Sequence, residues 1–162
     1  MSQIIIIIVT MSILLVSGFT FLDNYIGSAT ASKQAEELQA VMDEVQLYKT
    51  VTKGNFEGLT IENTGLITEA VAVGQSIVFE GGATAAEGQN LYPMDTVEGM
   101  YVSVDEGPAP TSALIEVGVD ASKDINPVIL NKVETKWQAD QGYVVTNTNS
   151  VAADGIYTLA IK

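Results

Sequence analysis

Carboxylates and lysines are nearly all the ionisable chemistry that this chain of 162 residues carries. There are 20 acidic residues and seven basic ones, and all seven are lysines. Histidine, cysteine and arginine are missing. Without His or Cys, Ser–His–Asp and Cys–His catalysis fall away, and so does a zinc site of the usual kind. Without Arg there is no guanidinium fork for phosphate. Asp95 with Glu98, and Asp105 with Glu106, are the carboxylate pairs with spacing for acid–base work. Nothing in that spacing separates them from solubilising surface charge. Asp120, Asp124 and Asn126 offer oxygen ligands to Ca²⁺, but they lack EF-hand spacing and its fixed glycine. A solvated loop is the plainer reading. Trp137, the single tryptophan, reads as a core residue or as a subunit contact. A net charge of -13 repels nucleic acid. The expectation is a chain with no catalytic residue, no metal, no cofactor and no nucleic-acid partner.

The elements that would position a function are clearer than any site. The first charged side chain is Asp23. Before it run Ile4, Ile5, Ile6, Ile7, Ile8 and Val9, then Ile13, Leu14, Leu15 and Val16, then Phe19, Phe21 and Leu22. As a helix, about 20 residues at 1.5 Å each span roughly 30 Å, the hydrocarbon thickness of a bilayer. The expectation is a membrane-spanning helix over residues 1–27. Mean hydropathy, at +0.26, agrees with part of the chain living outside water. Only Met1, Ser2 and Gln3 precede the isoleucines, without the Lys or Arg of a usual cytoplasmic flank. Either the α-amino group is the sole positive flank or a basic leader has been removed; removal is the expectation, with Met1 as the processed N-terminus.

The helix is expected to continue. Residues 28–50 contain no Pro or Gly, and Ala35, Leu38, Val41, Met42, Val45 and Tyr48 recur at three- and four-residue steps. That spacing makes one apolar face, able to pack on a globular head. Gly18 and Gly27 are the places where the helix can bend or locally unwind, or else are tolerated small residues.

Residues 28–162 then form the amphipathic helix and its head. Gly54, Gly58 and Gly65 mark turns. Val71–Val73 and Ser76–Phe79 are expected to be a short strand pair, and Gly81–Gly88 an exposed loop. Met100, Val102 and Val104 alternate with Tyr101, Ser103 and Asp105 as a half-buried strand. Thr111–Val119 suits a short helix or a strand equally. Asn126-Pro127 is a turn or a helix start; Tyr143–Val145 and Ile156–Ile161 read as strands. The fold class is α+β: a long N-terminal helix packed on a small antiparallel sheet.

This layout resembles the type IV pilins, and within them the type IVb branch that includes conjugative thin-pilus pilins. The resembling residues are Ser32-Lys33-Gln34-Ala35-Glu36-Glu37-Leu38-Gln39, then Leu47-Tyr48, Gly54-Asn55-Phe56-Glu57-Gly58-Leu59-Thr60 and Gly65-Leu66-Ile67. They cover roughly the first 70 residues; beyond them the likeness is architectural. The resemblance implies a major pilus subunit that polymerises through its apolar helix into an extracellular filament, for adhesion or conjugative mating. It implies residence in the inner membrane before assembly. It also implies a prepilin peptidase that cuts a leader and N-methylates Met1, an assembly ATPase with its platform, and a secretin. Three features depart from the family pattern. Ile5 stands where most members have Glu, Leu22 stands where proline is common, and the C-terminal cysteine pair is missing. The competing expectations are a single-pass anchored binding protein with an acidic ectodomain, and a minor pilin or pseudopilin.

Overall fold

The backbone of residues 2–79, 84–139, 145–147 and 156–161 is described by a computed structural model, with side chains for 17, 25–79 and 84–137. One helix, α1 (Ser2–Val51), is unbroken α-helix through both Gly18 and Gly27. At 1.5 Å per residue it is about 75 Å long. The side chains from Ile4 to Leu22 other than Ser17, together with Met1 and the surroundings of Gly18, lie outside the described residues. Among the described residues, no helix is long and apolar enough to cross a membrane.

The rest is an antiparallel sheet with one further helix. The strands are β1 (Glu69–Ala70), β2 (Ile77–Val78), β3 (Thr84–Ala85), β4 (Asn90–Pro93), β5 (Met100–Glu106), β6 (Ala113–Val119), β7 (Val145–Asn147) and β8 (Ile156–Ile161). Six of them form one sheet in the order β1-β4-β5-β6-β8-β7, while β2 and β3 pair separately. The second helix, α2 (Pro127–Ala139), packs against α1. A long helix on an antiparallel sheet makes the fold α+β.

Alternation builds the inner face. On β5, Met100, Val102 and Val104 point inward; on β6, Ala113, Ile115, Val117 and Val119 do the same. The register sets Met100 opposite Val119, Val102 opposite Val117 and Val104 opposite Ile115. Onto this face α1 lays Ala31, Leu38, Val41, Met42 and Val45, with Ala35 and Tyr48 half-buried beside them. Phe56, Leu59 and Ile61 close one end; Leu130, Val133 and Trp137 of α2 join the same core. Pro127 opens α2 with its fixed φ, and the Asn126 side-chain oxygen accepts the Val128 N–H at 2.9 Å as a cap.

Two sequence expectations need correction. Val71–Val73 and Ser76–Phe79 do not pair with each other. Glu69–Ala70 pairs with β4, and Ile77–Val78 pairs with Thr84–Ala85. The turn at Gly74 (φ 75°) separates the two runs, and each finds its partner beyond the turn. The stretch expected to be an exposed loop therefore supplies β3, in which Ala85 is buried against Val71 and Leu91. Thr111–Val119, open between helix and strand, provides β6: its alternate residues meet the inner face of β5 and it pairs with β8 on its other side.

With no disulfide available, carboxylates secure the turns. Glu44 Oε2 accepts the Gly65 N–H at 3.0 Å, Glu106 Oε2 that of Gly58 at 2.8 Å, and Glu87 Oε2 that of Gly74 at 2.8 Å. Charge-assisted bonds of this kind are roughly twice as strong as neutral ones.

The helix-to-sheet contact has a direct test on one helix. Leu38→Ala empties a fully buried site and is expected to cost about 2–5 kcal/mol. Leu47→Ala, on the exposed side of the same helix, is expected to stay within about 0.5 kcal/mol. Urea unfolding of the full chain in detergent, followed by Trp137 fluorescence, measures both. Equal losses would overturn the assignment of faces.

Candidate functional site

The residues that could do chemistry are dispersed and mostly occupied. Glu98 pairs with Lys123 at 2.5 Å, and that contact holds the Glu98 carboxyl below its usual range. Asp95 lies elsewhere, beside α1. Glu106 holds the Gly58 turn. An Asp120 oxygen accepts the Ser122 N–H at 2.8 Å, and Asn126 caps α2. Among the described residues no group of three or more acidic, His or Cys side chains could hold a metal ion. Trp137 is buried in the core of its own chain.

The surface that stands out is α1 itself. Among its described residues the buried stripe includes Gly27, which packs against α2, and Ala31 and Gln34, two buried positions that the apolar periodicity did not single out. Gln34 is fully buried, its amide 3.7 Å from the Met100 sulfur; its Oε1 has no hydrogen-bond partner among the described residues. Polar in type, it gives no hydrophobic signal, although it falls three residues after Ala31 and four before Leu38. Gly27 is packed closely: a Cβ there would sit 3.1 Å from Cδ of Lys132. The glycine lets the lysine stem lie against the helix.

The opposite side of α1 is bare. Tyr25 is 68% exposed, Ile26 55%, Leu47 55% and Val51 74%. Beside this face, α1 and the β4–β5 turn enclose an open groove of about 820 Å³ lined by Tyr25, Ile26, Lys33, Glu37, Tyr92 and Asp95 among others. Thr96 donates to Glu37 Oε1 at 2.7 Å. The other Glu37 oxygen is buried with no partner among the described residues. Burial pushes the Tyr92 hydroxyl pKa up, and the charges of Glu37 and Asp95 push it further. The groove is an open, apolar-rimmed surface whose lining includes Glu36, Glu37 and Asp95 with Lys33.

The outer face of the sheet holds a second, smaller hollow. Phe79, Tyr101, Ser103, Glu116 and Gly118 line a space of about 90 Å³. Gly118 is required there, since a Cβ would come within 2.7 Å of the Phe79 ring.

No known protein family, curated protein or solved structure matches the chain. The functional reading therefore rests on the residues and the geometry.

The hollow on the outer face has a measurable consequence. Burial raises the Glu116 carboxyl pKa, and the charge of Asp105 raises it further. The folded chain therefore holds this proton to higher pH than the unfolded chain, and stability is lost as pH rises from the ordinary carboxylate range through the raised value. Glu116→Gln is expected to shift the urea midpoint upward at pH 7. The gain should vanish near about pH 3, below the ordinary carboxylate range, where the carboxyl is protonated in both states. A gain of the same size at both pH values would overturn the account.

Proposed function

We propose that the chain is the structural subunit of a helical filament of the type IV pilus class, built on its apolar N-terminal helix, with no catalytic role. The observation that carries this reading is the division of α1. Its first 22 residues hold no charge, while its described head contacts begin near Gly27. Such a helix is satisfied by lipid when the subunit is alone and by other helices when subunits are bundled. Burying the apolar side chains of that segment, at roughly 1.5–3 kcal/mol each relative to water, stabilises the polymer outside the membrane. A heterologous contact that does not close gives an open helical polymer.

The packing residues of that bundle are Ile4, Ile5, Ile6, Ile7, Ile8, Val9, Ile13, Leu14, Leu15, Val16, Phe19, Phe21 and Leu22. The subunit waits in the inner membrane and works outside the cell. A prepilin peptidase, an assembly ATPase with its platform and a secretin are its partners in assembly. The acidic heads, on the outside, keep filaments soluble and apart. With Ile5 in place of a carboxylate, register along the bundle falls to side-chain shape and to charges outside it.

Shearing producing cells and viewing the released material by electron microscopy, with intact mass on the same sample, tests this reading. Filaments of a single subunit are expected. Protein that stays in the membrane fraction without filaments would favour the anchored binding protein. A charge introduced at Ile7 or Leu14 is expected to abolish filaments while leaving the head folded by circular dichroism; wild-type-like filaments from either variant would overturn packing through the helix.

A further inference from the structure

The β2–β3 pair stands apart from the six-stranded sheet as a sheet of its own. The segment that carries it leaves and returns through a narrow neck. There Glu87 Oε2 accepts the Gly74 N–H at 2.8 Å, and Val71 O accepts the Gly88 N–H at 3.0 Å. Gly74 (φ 75°) and Gly88 (φ 78°) both adopt the left-handed conformation that glycine tolerates, with open space where a Cβ would stand. Beyond the neck the segment is fastened at the far end of β6. Val78 O accepts the Ala121 N–H at 2.8 Å, and Phe79 bridges Asp120. The Phe79 ring lies on Gly118, edge-on to Tyr101 with 6.5 Å between centroids.

Glu116 shares the hollow of about 90 Å³ on this outer face with Phe79 and Thr84. Covering a carboxyl disfavours its charged form, because the anion loses more hydration than the neutral acid. On β5, Ser103 stands opposite Glu116, with Tyr101 and Asp105 two residues to either side. Among the described residues, the charge that acts on Glu116 is that of Asp105, which also disfavours a second anion. On its other side β8 sets Thr158 opposite Glu116; its sequence has no charged residue, and its Tyr157 stands opposite Val117. From the covering segment, Phe79, Thr84 and Gln89 line the hollow, and all are uncharged. Asp120, at the Phe79 bridge, has its Oδ1 on the Ser122 N–H.

We propose that the β2–β3 pair is a hinged cover on the outer face of the sheet, closed over protonated Glu116 and released when that carboxyl ionises. The proposal is independent of the filament reading. Closing takes the carboxyl out of water beside Asp105 and so favours the proton. Ionisation restores the demand for water, which is met when Phe79 lifts. The raised pKa of the covered carboxyl has the matching sign: closure is strongest in and below the ordinary carboxylate range and weakens as pH rises through the raised value. Opening at the two glycines uncovers Val71 and Leu91, which the closed pair buries together with Ala85. Local opening of this kind leaves the main core intact.

The Ala121 amide, bonded to Val78, reports the cover directly. Amide exchange is followed by NMR on the full-length chain in detergent, as protection relative to the unfolded chain at the same pH. Ala121 is expected to lose protection several-fold between about pH 4 and pH 7, across and above the ordinary carboxylate range, while amides between β5 and β6 keep theirs. Glu116→Gln is expected to keep Ala121 protected at both pH values, and Phe79→Ala to leave it unprotected at both. Wild-type protection that does not change with pH overturns the proposal. So does a pH dependence that survives in Glu116→Gln, or a loss at Ala121 matched by an equal loss throughout β5 and β6.

Discussion

The second half of α1 against the inner face of β5 and β6 is the contact on which the rest depends. Ala31, Leu38, Val41, Met42 and Val45 meet a surface made by Met100, Val102, Val104, Ile115 and Val117. Both partners are one-sided: a helix with one apolar stripe and a sheet with one apolar face each need the other to leave water. Once they meet, α2 has a place to dock, and the long connection from Thr52 to Thr68 is drawn over the end of the core by Phe56, Leu59 and Ile61. The same contact also fixes which side of α1 remains outside. A helix buried on one side by its own head must find other partners, or solvent, for the rest.

Several of the described charged and polar side chains hold the backbone in place. Three glutamates close turns on glycine N–H groups that disulfides or longer loops would otherwise have to restrain. Asp120 and Asn126 shape the loop that leads into α2. Among the described residues no acid–base pair converges in a sheltered cleft, and the groove beside the β4–β5 turn is broad and open.

The two halves of the helix differ in composition. Its first 22 residues carry no charge, and its second half alternates apolar and charged positions. The changeover comes near Asp23 and Gly27. There Lys132 lies across the glycine and ties α2 to the start of the packed segment. A side chain at position 27 would lift that lysine and loosen the junction between the two helices.

Much of this was legible in the sequence. The period of Ala35, Leu38, Val41, Met42, Val45 and Tyr48 marks the packed face, because a helix repeats its direction every three to four residues whatever it packs on. Alternation marks β5 for the same local reason. The absence of His, Cys and Arg restricts the chemistry before any fold is known. Strand partners were not legible. Val71–Val73 and Ile77–Phe79 are adjacent and apolar, yet each pairs elsewhere, because pairing is decided by which edges lie alongside once the core has formed. Gly81–Gly88 reads as a loop because small residues carry no hydrophobic signal, although Ala85 is small enough to be buried against Val71 and Leu91. Gln34 escaped because polarity hides a buried position, and Gly27 because its role is to make room for a lysine 105 residues away. The gathering of Glu37 with Asp95, and of Lys132 with Ser28 and Ser32, is likewise tertiary. The sequence by itself determined periodicity, composition and the uncharged run, which are local properties of the chain. Only the tertiary structure decided which residues line the grooves beside α1, since each groove joins residues more than 50 positions apart that meet only when the helix is buried on the sheet.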